Sequence, residues 1–210
     1  MNVFSSGGGS RRRRSTALLA VPLAAMLALT ACSGSSDTLA QQWEEASDKG
    51  FVAGDGSSLS IPPSERGEPV LFEGVTENGE RFSSDDTIGS VTVVNFWYAG
   101  CAPCRAEAGD LVAAHEAFAP EGVEFVGVNT RDQAAQALQF AEEYGVKYPS
   151  IMDMAGDRAT QRAFAGQIPL AAVPTTLVLD AEGRVAHRVL GQLASESQLR
   201  TLINETLAET

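Results

Sequence analysis

Two cysteines, Cys101 and Cys104, stand three positions apart in a chain of 210 residues that holds three cysteines in all. Thiols at that spacing can form a structural disulfide, help to hold a metal, or cycle between dithiol and disulfide. Zinc needs four ligands, and beyond Cys32 the chain offers, besides these thiols, only the two histidines His115 and His187, neither at finger spacing. A disulfide kept for stability alone gains little here, because a two-residue loop closes almost no chain entropy and long loops gain most. Redox cycling is the stronger reading and the inert staple its alternative. Such a cycle needs no metal and no organic cofactor, since the disulfide is itself the redox group.

The elements around the pair favour reactivity. Val91, Val93, Val94, Phe96 and Trp97 form an almost unbroken apolar run, the pattern of a strand buried on both faces. The cysteines follow its end and open a helix that continues over Ala106 to Phe118. Pro103 lies near the first helical position, where a missing N–H costs nothing. Cys101 is thereby put where free backbone N–H groups point at its sulfur. Lowering a thiol pKa by about two units requires about 2.7 kcal/mol of preference for the thiolate. A helix dipole supplies about 0.3–1 kcal/mol, so direct N–H to sulfur bonds must contribute the rest. Cys101 is the expected nucleophile. Cys104, one turn in and less exposed, is the expected resolving thiol.

Further elements bracket this centre. Leu71 to Val75 and Glu80 to Ser83 flank Asn78-Gly79, a strong short hairpin signal. Phe51 to Ile61 alternates weakly around Gly54-Asp55-Gly56, the pattern of another hairpin, and Leu39 to Asp48 reads as a short helix. Val123 to Val128 reads as a second buried strand, and Gln133 to Tyr144 as a helix with Asp132 as N-cap and Gly145 as its stop. Tyr148 to Met152 reads as a short strand, and Asp157 as the cap of a helix through Phe164. Thr176 to Leu179 and Val185 to Leu190 bracket a turn, and Ser195 with Gln198 forms a capping box for a last helix with Leu199, Leu202, Ile203 and Leu207 on one face. This β-α-β-α order implies an α/β fold with a parallel core and right-handed crossovers. His115 reads as a packing residue on the face of Leu111 and Phe118, and His187 as exposed.

The amino terminus reads as an address. Arg11 to Arg14 precede Ala17 to Leu29, an uncharged stretch suited to a secretory signal and short for a permanent span. Leu29-Thr30-Ala31-Cys32 resembles the bacterial lipobox, which implies lipidation at Cys32 and a membrane-anchored extracytoplasmic location. All 27 acidic residues follow residue 31, and the whole chain carries a formal charge of −12. That surface repels phosphate backbones and speaks against a nucleic-acid partner.

Phe96-Trp97-Tyr98-Ala99-Gly100-Cys101-Ala102-Pro103-Cys104-Arg105-Ala106-Glu107 resembles the active-site stretch of the thioredoxin-like thiol-disulfide oxidoreductases of the TlpA/ResA group. Val173-Pro174-Thr175-Thr176 is similar to that family's cis-proline segment. The resemblance spans about residues 68–207 and implies a thioredoxin-like fold, a central mixed sheet flanked by helices, with an amino-terminal β-hairpin extension. The organisation it suggests is a signal over 1–31, a tether and extension over 32–67, and the thioredoxin-like domain over 68–210. It also implies a cis Val173–Pro174 bond beside the cysteines, where substrate backbone pairs, and places Trp97 near the active site. Glu107 matches a family acid that moves protons at the second cysteine. At i+3 from Cys104 on a helix, its side chain leans toward the thiols. Departures from the family pattern are Gly100 where many members carry Trp and Gly109 where proline often kinks the helix. Ordinary thioredoxins carry a buried Asp where this chain has Asn95, which shifts the acid–base burden to Glu107.

The function the resemblance implies is reduction of disulfides in exported proteins, such as apocytochrome c, with electrons from a membrane thiol carrier. Disulfide formation in secreted proteins is the alternative direction, because Ala102-Pro103 does not fix the potential. A peroxidase of the same fold is a second alternative, disfavoured because that family places Thr where Cys101 stands. A lipid-anchored binding module with an inert disulfide is the non-enzymatic one.

Overall fold

The computed structural model describes residues 57–169 and 172–209. The signal, Cys32, the helix read over 39–48 and the first arm of the hairpin read over 51–61 lie outside the described residues. In chain order the elements are β1 (Ser57–Ser60), β2 (Glu73–Val75), β3 (Arg81–Ser83), β4 (Thr92–Trp97), α1 (Ala102–Phe118), β5 (Glu124–Asn129), α2 (Ala134–Tyr144), β6 (Ser150–Met152), α3 (Ala159–Ala163), β7 (Thr175–Leu179), β8 (Val185–Leu190) and α4 (Glu196–Leu207).

Six strands form one mixed sheet in the order β1-β8-β7-β4-β5-β6. Strand β4 is parallel to β5 and antiparallel to β7, and all six of its residues are buried. Its side chains alternate between two cores, as a pleated strand requires. Val94 and Phe96 pack with Val126, Phe164 and Leu177 on one face, while Val93 packs with Leu111, Phe118, Leu199 and Ile203 on the other. Burying such side chains contributes roughly 1.5–3 kcal/mol each. Period two therefore also sends Asn95 and Trp97 to the face that α1 and α4 cover. The β2–β3 hairpin closes through Gly79 at φ +82°, as Asn78-Gly79 predicts, and packs against β6 and α3. Among the described residues no helix is long and apolar enough to cross a membrane.

Ser57–Ser60, the second arm of the hairpin read over 51–61, is a strand that pairs antiparallel with β8 at the edge of the main sheet, with all four residues exposed. Several other local readings need correction. Asp132 does not cap α2: that helix begins after Gln133, whose N–H donates to Gln136 Oε1 at 2.9 Å. Asp157 does not cap α3 either, for Asp153 accepts from the Thr160 and Gln161 N–H groups at 2.8 and 3.0 Å. His187 is 3% exposed, with Nδ1 2.9 Å from Ser60 Oγ, because β1 and Glu205 of α4 close over it. The box at α4 stands in altered form: Ser195 Oγ accepts from Gln198 N–H, and Gln198 Oε1 accepts from Ala194 N–H at 2.9 Å.

Candidate active site

The end of β4 delivers Trp97 to Gly100, and α1 starts at once with Ala102-Pro103. Cys101 is the N-cap of α1 in extended conformation, φ −76° and ψ 112°, and its Sγ accepts from the Cys104 N–H at 3.3 Å. This is the N–H to sulfur contact that the helix start was expected to provide. The two cysteines are joined as a disulfide with Cα atoms 5.2 Å apart. Cys101 is 1% and Cys104 2% exposed, so in the disulfide form Cys104 is not the more buried of the two.

The wall behind the pair is apolar. Trp97, Cys101, Cys104, Ala108, Ala137, Phe140, Met152 and Val173 form one buried cluster. Trp97, expected near the substrate, is 5% exposed; its ring lies 4.3 Å from that of Phe140 and its Nε1 donates to Ser150 Oγ at 3.2 Å. Gly127 makes room for that bond, since a Cβ there would lie 2.7 Å from Trp97 Nε1 and would also strike Ser150. Val173–Pro174 is cis, and Val173 reaches the cysteine cluster from the turn into β7. The Pro174 carbonyl accepts from Gly191 N–H at 2.9 Å.

Glu107 lies three residues beyond Cys104 on α1 and is fully buried. Its Oε1 accepts from Asn95 Nδ2 at 3.0 Å and its Oε2 from the Leu193 N–H at 2.8 Å. Both partners are neutral donors. Burial pushes the carboxyl up to about 7, against the pull of the Leu193 and Asn95 hydrogen bonds. Asn95 gives its other hydrogen bond to Thr176 Oγ1 at 3.0 Å. Asn95, Cys104, Tyr148 and Ser150 line one small cavity behind the disulfide. A buried carboxyl near neutrality, one helical turn beyond Cys104 in sequence, is suited to taking and returning a proton.

Two contributors escaped the sequence reading. The Leu193 N–H is a backbone group 86 positions from Glu107, and no residue type or spacing announces it. Asp132 Oδ2 accepts from the Ala99 N–H at 2.6 Å and from Asn129 Nδ2 at 2.9 Å, so the acid read as a cap instead holds the loop before Cys101. Its position beside a helix start favours the cap reading, and spacing alone does not separate the two. His115 stacks edge-on against Phe125 and Tyr148, 5.2 and 5.3 Å away, away from the disulfide cluster. Arg105 is exposed, and among the described residues no group of three His, Cys, Asp or Glu side chains is placed to hold a metal.

The AhpC/TSA family matches residues 68–188, more than half of the chain. The chain is similar to thiol-disulfide oxidoreductase ResA of Bacillus subtilis, 30% identical over 127 residues, which cover 60% of this chain and 67% of that protein. It is also similar to thiol:disulfide interchange protein HelX of Rhodobacter capsulatus, 34% identical over 122 residues, covering 58% and 64%. The match thus spans about two thirds of the length of these relatives. Among solved structures, a DsbF homologue from Corynebacterium diphtheriae superposes with a TM-score of 0.62 at 29% identity, covering 72% of this chain and 94% of that one. The dithiol motif and the cis-proline turn both lie within the matched residues, and the chain belongs to the AhpC/TSA family as a thioredoxin-like member similar to ResA and HelX.

Proposed function

We propose that this chain is an extracytoplasmic thiol-disulfide oxidoreductase, anchored by lipid at Cys32, that reduces disulfides of exported proteins such as apocytochrome c. The observation that carries this reading is the redox pair itself, Cys101 at the N-cap of α1 with its sulfur on the Cys104 N–H and a buried acid one turn further on. The thiolate of Cys101 attacks one sulfur of the substrate disulfide; a mixed disulfide forms and the other substrate sulfur leaves as thiolate. Cys104 then gives its proton to Glu107, attacks Cys101 Sγ, and forms the intramolecular disulfide while the second substrate thiolate departs. Two electrons from a membrane thiol carrier then reopen the disulfide, and Glu107 returns its proton to Cys104. The Val173–Pro174 turn borders the site where substrate backbone would lie, and Trp97 backs the cysteines from within.

Insulin reduction and the equilibrium potential of the pair test this reading. Wild type should reduce insulin, Cys101→Ser should abolish the activity, and Cys104→Ser should accumulate the mixed disulfide. The potential should lie nearer the thioredoxin value of about −270 mV than the strongly oxidising value of about −120 mV. A potential at the oxidising end would assign the reverse direction, and a wild-type protein inert toward insulin and model disulfides would reduce the site to a staple.

A further inference from the structure

The loop between β4 and α1 is held from the end of β5. Asp132 Oδ2 takes the Ala99 N–H, and Asn129 steadies Asp132 by donating Nδ2 to the same oxygen and accepting the Arg131 and Asp132 N–H groups on Oδ1 at 3.1 and 2.8 Å. Thr130 N–H and Oγ1 both donate to the Trp97 carbonyl, at 3.0 and 3.3 Å. The Arg131 guanidinium stands over the Tyr98 ring, 4.5 Å from its centroid. Residues 97, 98 and 99 are therefore each tied to the segment 129–132, and the ties end one residue short of Cys101.

That residue is Gly100, which has the widest backbone freedom of any residue type. A Cβ there would lie 3.3 Å from Tyr98 Cε2, so the strand end and the Tyr98 ring are close to it. In the disulfide form the S–S bond itself fixes Cys101 against α1. In the dithiol form that bond is gone, and the sulfur keeps its place on the Cys104 N–H only if the chain entering the helix is held. The Cys101 N–H reaches back to the Tyr98 carbonyl at 3.1 Å, which continues the line of bonds from Ala99 into the nucleophile. We infer that Asp132 is a positioning residue for Cys101, holding the 98–100 loop through the Ala99 N–H so that the reduced sulfur stays on the helix N-terminus.

This inference rests on Cys101 being the nucleophile proposed above. Removing the clamp should weaken the reduced form selectively, because only that form depends on it. In Asp132→Ala, alkylation of Cys101 at pH 7 should slow about 3- to 10-fold, the order expected for loss of one charge-assisted N–H to sulfur contact. The dithiol–disulfide equilibrium should shift toward the disulfide by up to about tenfold, which for a two-electron couple is about 30 mV toward more reducing potential. Thermal unfolding of the oxidised protein should move by only a few degrees. Asp132→Asn keeps an oxygen for the Ala99 N–H and should recover most of the alkylation rate. Wild-type rate and potential in the alanine variant would overturn the inference. So would an asparagine variant as impaired as alanine, or oxidised proteins unfolded in both variants, which would make Asp132 a fold residue. If Cys101 in the wild type alkylates no faster than an ordinary thiol, the failure belongs to the proposed function, since no variant is involved.

Discussion

Glu107 and Asp180 are both buried acids on the same fold, 0% and 3% exposed, and they are held in opposite ways. Glu107 meets only neutral donors, the Asn95 amide and the Leu193 N–H, and burial drives its carboxyl up to about 7. Asp180 meets two guanidinium groups, Arg66 at 3.0 Å and Arg184 at 2.9 Å, as well as the Glu182 and Arg184 N–H groups. Burial pushes Asp180 up as well, but the hydrogen bonds from Arg184 and Arg66 outweigh it and hold the carboxyl below the usual aspartate range. Hydrogen bonds alone leave a buried carboxylate close to its proton, whereas a full countercharge fixes it as an anion. The first environment suits proton transfer, and the second suits tying the turn between β7 and β8 to the Pro62–Arg66 segment and the end of α4, where Glu209 also grips Arg66 at 2.6 and 2.8 Å.

The largest effect that separates the two belongs to Glu107→Gln. A glutamine cannot take the Cys104 proton, so resolution of the mixed disulfide at pH 7 should slow about 100-fold, the lower end of general acid–base contributions. Alkylation of Cys101, which does not use that proton, should stay within about twofold. Stability should change in shape as well. The folded carboxyl keeps its proton to about pH 7 while a free glutamate releases it near 4.5, so the native state binds more protons in that window and wild-type stability declines as pH rises through it. The glutamine variant should lack this decline over the same window by chemical denaturation. A wild-type rate of resolution would leave Glu107 without the role its environment suggests.

Asp180→Asn sharpens the contrast from the other side. Breaking a buried pair costs about 3–5 kcal/mol, and the lower figure is expected because Glu209 still holds Arg66. Disulfide exchange should be unchanged, since Asp180 lies at the far end of β7 from Thr175. The pH dependence has the reverse sign to that of Glu107. With a folded pKa below the ordinary 3.8, Asp180 lends its full stability above that value and loses it as pH falls through the lower folded one. Urea unfolding at pH 3 and pH 7 should therefore show a smaller gap between variant and wild type in acid.

What the sequence made legible was local. Cys101 and Cys104 at a helix start, the apolar run of β4, the Asn78-Gly79 turn and the apolar face of α4 all follow from neighbours within a few positions. The pieces that escaped are set by partners distant in the chain. The Glu107 environment depends on Leu193, the Ala99 loop on Asp132, and the burial of His187 on Ser60, 127 positions earlier. An acid near a helix start reads as a cap because that is the local use of an acid; at α3 the capping carboxylate is Asp153, six positions before the helix, reached by a turn. Strand β1 alternates only weakly because all four of its residues are exposed at the sheet edge, so its sequence does not announce β8, about 130 positions later, as its partner.

The smallest effect probes how Asn95 is itself held. Its amide splits two hydrogen bonds between Glu107 Oε1 and Thr176 Oγ1, across the antiparallel pair in which Asn95 faces Thr176. Thr176→Val preserves shape and removes one acceptor, which leaves an amide hydrogen unsatisfied in a buried site and should cost about 1 kcal/mol. The bond from Asn95 to Glu107 remains, so the carboxyl should keep its proton to about the same pH, and exchange rates should stay within about twofold. A tenfold loss of activity would mean that Thr176 orients Asn95 toward the acid. The environment of Glu107 would then extend across β7, and the contrast with Asp180 would lie in a network of neutral groups and not in two donors alone.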